Sequence, residues 1–125
     1  MEMEKPQNIV HIIGYIEENL WSPLDLGNLA EKAKLSKYHF CRTFKRHVGV
    51  NPMKFVNVRR IERAKELLVK SDHPVSLVAT EVGFRDLSNF IRQFKKITGA
   101  TPTVYRGAVR AAKTTTPQHS SAVMN

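Results

Sequence analysis

Residues 40–45 read FCRTFK and residues 90–95 read FIRQFK, so one pattern of aromatic and basic side chains occurs twice, 50 positions apart. The agreement extends beyond these segments, at offsets of 49 or 50 residues, to the pairs Ala30 and Ala79, Leu35 and Phe84, Gly49 and Gly99, Pro52 and Pro102, and Phe55 and Tyr105. A long-range repeat of this kind predicts that one supersecondary unit is built twice within the chain.

Helical periodicity predicts an all-α fold around this repeat. Apolar side chains recur every three or four residues along most of the chain. No segment shows the sustained alternation of apolar and polar residues that predicts a strand. Seven helices are predicted, over about residues 7–19, after Asp25, over 37–48, 52–70, 75–82 and 87–98, and from Pro102. The predicted N-caps are Asp25, Ser36 and Asp86, and two of the helices are predicted to end at Gly49 and Gly99.

The repeat and the composition together predict four parts of the chain. Residues 1–51 form a first helix-turn-helix lobe, 52–70 a linker helix, and 71–108 a second helix-turn-helix lobe. From about Ala111 the sequence is rich in Thr, Ser, Ala, Gln and Pro, so residues 109–125 are predicted to be a disordered tail. On the linker helix, Arg59, Arg60 and Arg63 are predicted to form chiefly a solvated face that pairs with Glu62 and Glu66. The alternative is that one of them contacts phosphate or linker carbonyls.

The two copies of the repeat predict helices with one apolar and one cationic side. On a helix that turns about 100° per residue, the repeated phenylalanines lie on one side and the basic residues on the other. The outer side of the first copy carries Tyr38, Cys41, Arg42 and Lys45, with Arg46 beside them. The outer side of the second copy carries Ser88, Ile91, Arg92 and Lys95, with Asn89 and Lys96 at its edges. This arrangement is typical of the second helix of a helix-turn-helix.

Two such helices predict binding to double-stranded DNA. Arginine can donate two hydrogen bonds to guanine O6 and N7, and flanking lysines and arginines can neutralise phosphates. A linker helix of about 18 residues would span roughly 27 Å, which is of the order of one DNA helical turn. We therefore expect the helices to enter successive major-groove segments. Because their outer sides differ, the expected site is asymmetric and one molecule is sufficient to bind it.

Charge and composition restrict the classes of partner. The 125 residues carry 20 Lys and Arg against 11 Asp and Glu, and the region from Lys37 onward has a net charge of +12. This charge suits phosphate polymers and anionic membrane surfaces. No apolar run is long enough to span a membrane, and a membrane partner is not expected in preference to DNA. Cys41 is the single cysteine and the five histidines lack metal-ligand spacing, so neither a metal nor another cofactor is expected. The expected location is the cytoplasm, because a single cysteine is consistent with a reducing compartment.

The chain resembles the DNA-binding region of AraC/XylS-type bacterial transcription regulators over about residues 7–106. The most specific segment reads VGFRDLSNFIRQFKKITGATP at residues 82–102 and is followed by Tyr105 and Arg106. The resemblance implies two helical lobes that bind promoter DNA and alter the recruitment of RNA polymerase. It also implies that no small-molecule effector domain is present in this chain, which is typical of the short MarA/SoxS-like type or of a fragment of a longer regulator.

The resemblance also implies which residues contact DNA. The expected base contacts are Tyr38, Cys41 and Arg42 in the first lobe, and Ser88, Asn89 and Arg92 in the second. The expected phosphate contacts are Lys37, Lys45, Arg46, Lys95 and Lys96. Lys34 departs from the family pattern, since it occupies a turn position that usually holds glycine. If that position requires a positive φ, lysine there costs about 1 kcal/mol.

Two other classes of function remain as alternatives. An enzyme is not expected, because the chain contains no glycine-rich phosphate loop, no nucleophile–base arrangement and no paired-carboxylate signature. An interaction module that binds chiefly RNA polymerase, or polyanions without sequence preference, is compatible with the charge alone. A specific, asymmetric footprint would distinguish a transcription regulator, expected to be an activator, from such a module.

Overall fold

In the computed structural model, the backbone is described for residues 6–123 and the side chains for residues 8–113. Within this part of the chain there are seven helices and no strand, as the sequence predicted. They are α1 (Pro6–Glu18), α2 (Leu26–Lys32), α3 (Lys37–Val48), α4 (Pro52–Lys70), α5 (Val75–Glu81), α6 (Leu87–Thr98) and α7 (Pro102–Val123).

The predicted N-caps of α2, α3 and α6 are confirmed by their hydrogen bonds. The Asp25 carboxylate accepts the Asn28 backbone N–H at 2.8 Å, and Ser36 Oγ accepts the His39 N–H at 3.1 Å. Asp86 Oδ1 accepts the Ser88 N–H at 3.2 Å. Each cap satisfies a backbone donor that has no partner within its helix, so these residues set where the helices begin.

The turn between the two helices of each helix-turn-helix uses a left-handed residue. Lys34 has φ 62° in the first turn, and Gly83 has φ 106° at the equivalent place in the second. Glycine adopts this conformation without a Cβ clash, whereas lysine is strained in it. The strain expected from the sequence at Lys34 is therefore present.

The chain divides into two compact units, Met1–Arg60 and Ile61–Asn125, and the division lies within α4. In the first unit, Val56 of α4 belongs to the buried core with residues of α1, α2 and α3. In the second unit, Ile61, Ala64 and Leu68 of α4 belong to the core with residues of α5 and α6. One helix therefore supplies both cores, and its two halves bury different residues.

Edge-to-face aromatic contacts anchor α3 in the first unit. The Phe40 and Phe44 ring centroids are 5.7 Å apart, and Phe55 of α4 lies 5.5 Å from Phe44. Both rings of α3 are fully buried. This packing directs the opposite side of α3 to solvent.

The second unit repeats the same aromatic cluster around α6. The Phe90 and Phe94 centroids are 5.8 Å apart, and Tyr105 of α7 lies 5.5 Å from Phe94. Tyr105 therefore occupies the place that Phe55 has in the first unit. The predicted inward side of both repeated helices is confirmed.

Arginine side chains close the end of the first helix in each unit. In the first unit, Arg60 Nε donates to the Leu20 carbonyl at 2.9 Å and Nη2 to the Ser22 carbonyl at 2.8 Å. In the second, Arg106 Nε donates to the Leu68 carbonyl at 2.7 Å and Nη2 to the His73 carbonyl at 2.6 Å. These guanidinium groups satisfy backbone acceptors near helix C-termini, where positive charge is favourable.

The solvated face predicted on the linker helix does not include Arg60, and the alternative prediction that one arginine contacts backbone carbonyls describes Arg60 better. Arg60 is only 7% exposed and bonds to carbonyls outside its own helix. Arg59 forms an ion pair with Glu17 of α1, with an Nε to Oε2 distance of 2.6 Å. Helical spacing shows which residues are neighbours on one helix, and it contains no information about a partner 40 residues away.

Helix α7 is longer than the short last helix predicted from the sequence. Its backbone continues to Val123, and Arg110 Nη2 donates to the Ser71 carbonyl at 2.7 Å. The side chains of residues 114–125 lie outside the described part of the chain, so the disordered tail stays a prediction. None of the described helices combines the length and apolar character needed to cross a membrane.

Candidate nucleic-acid interface

The outer side of α3 exposes most of the residues predicted to contact bases in the first unit. Tyr38 is 70% exposed, Arg42 is exposed, and Cys41 is half-buried. Helix α3 carries four Lys and Arg residues and no Asp or Glu. The described face is therefore cationic, and it presents an aromatic ring beside an arginine.

Tyr38 and Arg42 contact each other one helical turn apart. The Arg42 guanidinium carbon lies 5.6 Å from the centroid of the Tyr38 ring. A guanidinium over an aromatic face is attracted by the quadrupole of the ring, by about 0.5–1 kcal/mol at an exposed site. The contact therefore restricts the rotamers of the arginine.

The outer side of α6 brings Asn89 and Arg92 together. Arg92 Nη2 donates a hydrogen bond of 3.0 Å to Asn89 Oδ1. Arg92 and Ser88 are exposed, and Asn89 is half-buried. The second unit therefore holds its arginine with an amide, where the first unit uses an aromatic ring.

Ile91 is a partial exception to the predicted outer side of α6. Its side chain is half-buried and packs against the core of the second unit. The helical-wheel angle alone placed it on the outer side, but the core of this unit is wide enough to cover part of its side chain.

The residues predicted to contact phosphates lie at both ends of α3 and at the end of α6. Lys45 and Arg46 are exposed in the last turn of α3, and Lys95 and Lys96 are exposed in the last turn of α6. Lys37 is also exposed, and its stem passes over the first turn of α2. A Cβ built on Gly27 would lie 3.3 Å from Lys37 Cε.

Sequence reasoning missed the two side-chain pairs and the arginine caps. The pairs had a signal, because Tyr38 and Arg42 are four residues apart and Asn89 and Arg92 are three apart, which are the spacings of helix neighbours. For the caps, a carbonyl contact of one linker-helix arginine was an alternative prediction, but the sequence did not identify the carbonyls to which Arg60 and Arg106 donate. All the predicted contact residues lie at the surface of their units, although whether they contact DNA stays a prediction.

Comparison with known proteins identifies the family. A family model described as a helix-turn-helix domain matches residues 29–108. The probable transcriptional regulator LumQ of Photobacterium leiognathi is 33% identical over 103 residues, which are 82% of this chain and 42% of LumQ. The chain thus spans less than half the length of this curated relative.

Solved structures agree with this assignment. The DNA-binding domain of AdpA, determined in complex with a target DNA, has a TM-score of 0.79 and 31% identity, covering 82% of this chain and 93% of that one. A probable AraC family transcriptional regulator from Rhodopseudomonas palustris has a TM-score of 0.72 and 25% identity, with 82% and 96% coverage. The chain belongs to the AraC-type family of helix-turn-helix DNA-binding domains, which occur in transcription regulators.

Proposed function

We propose that this protein is a sequence-specific DNA-binding transcription regulator that inserts α3 and α6 into major-groove segments of an asymmetric promoter site. The observation that carries the proposal is the pair of exposed, acid-free helix faces, each anchored by two buried phenylalanines. The exposed arginine at the centre of each face is suited to guanine, because its N–H groups match the O6 and N7 acceptors. The similar AdpA domain is in complex with a target DNA, which supports DNA binding by this fold.

The proposed contacts separate into two classes. Arg42 and Arg92, with the side chains beside them, read base edges and so provide specificity. The lysines in the last turns of α3 and α6 neutralise phosphates and provide affinity without sequence information. Removing a residue from either class therefore has a different signature on specific and random DNA.

The presence of one recognition helix in each unit supports binding as a monomer. The outer sides of α3 and α6 differ, since Tyr38 and Cys41 correspond to Ser88 and Ile91. Two unlike faces fit an asymmetric site, whereas a dimer of one reading helix would favour a palindrome. Recruitment of RNA polymerase, with activation as the outcome, is the further part of the proposal and rests on the family.

The test is to select duplexes from a random pool with the purified chain and to compare binding of the selected duplex and of random DNA across a salt series. We expect a specificity ratio well above one and a protected, asymmetric stretch of about two helical turns. Arg92→Ala should cost about 1–3 kcal/mol on the selected duplex and much less on random DNA. A ratio near one for the unaltered protein would contradict the proposal and favour a non-specific polyanion-binding module.

Transcription in vitro tests the regulatory part separately. Purified RNA polymerase and a promoter carrying the selected site should give more transcript when the protein is added, if it is an activator. Less transcript would identify a repressor. An unchanged transcript level, despite specific binding, would contradict a direct role in recruiting polymerase.

A further inference from the structure

The hydrogen bond between Asn89 and Arg92 has a consequence for which bases the second unit reads. Asn89 is half-buried beside the buried Phe90, so its position is set by the packing of α6. Arg92 is a long, exposed side chain whose guanidinium is held 3.0 Å from Asn89 Oδ1. Asn89 is therefore the more restricted of the two side chains, and its hydrogen bond limits the positions of the longer Arg92 side chain.

The surrounding charges leave Asn89 as the acceptor for Arg92 within α6. The helix contains no Asp or Glu. The carboxylate that precedes it, Asp86, accepts the Ser88 backbone N–H as the N-cap. Arg92 is thus held by a neutral amide, so its full positive charge is kept for DNA.

Hydrogen-bond chemistry determines what this pair can present to a base. Asparagine reads adenine by accepting from N6 with Oδ1 and donating to N7 with Nδ2. In this structure Oδ1 accepts from Arg92, so the bond to adenine N6 has to compete with a charged donor. Oδ1 keeps one further lone pair, and the other groups that this pair can offer to DNA, Nδ2 of Asn89 and the remaining N–H groups of Arg92, are all donors. The pair therefore presents more donors than acceptors.

We propose that Asn89 is a positioning residue that orients Arg92 toward a guanine, and that the pair reads a base step whose major-groove edges present acceptors. Building on the proposed function, this assigns guanine to Arg92, through O6 and N7. The neighbouring base pair faces the Asn89 amide N–H groups, which need an acceptor. We therefore expect guanine, or thymine through its O4, to be preferred there over an adenine that donates from N6. Arg42, which is held by a ring face, lacks this second amide donor in its pair.

The experiment measures the affinity for DNA of four proteins, each with the full chain. Each protein is tested on the selected duplex and on a set of duplexes in which one base pair at a time is substituted. The four proteins are the unaltered chain, Asn89→Ala, Arg92→Ala and the double variant. We expect Asn89→Ala to reduce discrimination at the guanine read by Arg92 by roughly tenfold, while affinity for random DNA stays within about twofold. In the Arg92→Ala background, Asn89→Ala should cause no further loss at that base pair.

Ser88→Ala is the matched control, because Ser88 lies on the same exposed side of α6 and the bond it forms with Asp86 uses its backbone N–H and not its side chain. When Ser88→Ala is combined with Arg92→Ala, the losses in binding free energy of the two substitutions should add. Thermal unfolding of every variant should match that of the unaltered chain, which separates positioning from damage to the fold.

Two results would overturn the inference while leaving sequence-specific binding intact. Additive losses from Asn89→Ala and Arg92→Ala would show that the two side chains act independently. A selected site with adenine as the base sensitive to Asn89→Ala would show that Oδ1 reads DNA directly. If the unaltered chain shows no base preference at all, it is the proposed function itself that fails.

Discussion

At the scale of single residues, the buried hydroxyl of Thr43 lowers the stability of the folded state. Its side chain is fully buried in α3, and among the described residues no group forms a hydrogen bond with its Oγ1. A buried hydroxyl without a partner costs about 1–3 kcal/mol relative to its hydrated state. The residue lies between the exposed Arg42 and the buried Phe44, so this cost is located where the reading face joins the core.

Thr43→Val should raise the free energy of unfolding by about 1 kcal/mol, because valine has the shape of threonine and removes the unpaired hydroxyl. Chemical denaturation followed by circular dichroism measures the change. Thr43→Ser is the control, since it keeps the hydroxyl and loses the methyl group, and it should lower stability. A destabilised valine variant would show that Oγ1 has a partner in solution.

At the scale of elements, the helix-turn-helix turns and the arginine caps set the geometry of each unit. The helix bounds and their caps could be predicted from local sequence, because Asp25, Ser36 and Asp86 act on backbone groups two or three residues away. The cap provided by Arg60 could not, because its acceptors are about 40 residues away along the chain. Local patterns therefore defined the helices, and long-range hydrogen bonds defined how their ends are closed.

Lys34→Gly should stabilise the first unit by about 1 kcal/mol, because glycine adopts φ 62° without the strain of a side chain. The gain is partly offset by the larger entropy of glycine in the unfolded chain. Gly83→Ala places a Cβ at φ 106° in the equivalent turn and should lower stability by a similar amount. Equal melting temperatures for all three proteins would contradict the assignment of strain to these turns.

Arg60→Met should lower the free energy of unfolding by about 2–4 kcal/mol, because two carbonyls near the end of α1 lose a charged donor while the apolar volume is kept. Arg59→Met is the matched control at the next position. Its ion pair with Glu17 is more than one-third exposed, so its loss should cost less than about 1 kcal/mol. Denaturant titration compares the two, and equal effects would contradict the role given to Arg60.

At the scale of the whole molecule, the positive charge is concentrated in the part of the chain that carries the two cationic helix faces. Residues 1–36 have a net charge of −3, and the rest of the chain has a net charge of +12. The residues proposed to read bases and to bind phosphates all lie in the positive part, from Lys37 onward. Binding to DNA should therefore depend strongly on salt, as expected for a protein that displaces counterions.

Lys95→Ala should weaken binding to the selected duplex and to random DNA by the same factor, because a phosphate contact carries no sequence information. The slope of log affinity against log salt should become shallower by about 0.9 for the contact removed. Fluorescence anisotropy across a salt series gives both quantities, and Arg92→Ala provides the contrast, with its loss confined to the selected duplex. A selective loss for Lys95→Ala would assign it to a base contact instead.

The amino-acid sequence by itself determined the helices, the repeat, the N-caps and the two cationic faces. Each of these depends on neighbours within about one helical turn or on a pattern that occurs twice in the chain. Only the tertiary structure decided that Arg60 and Arg106 close helix ends and that Ile91 is partly covered by the core. These features depend on which backbone and side-chain groups meet after folding, and residues close in space can be far apart in sequence.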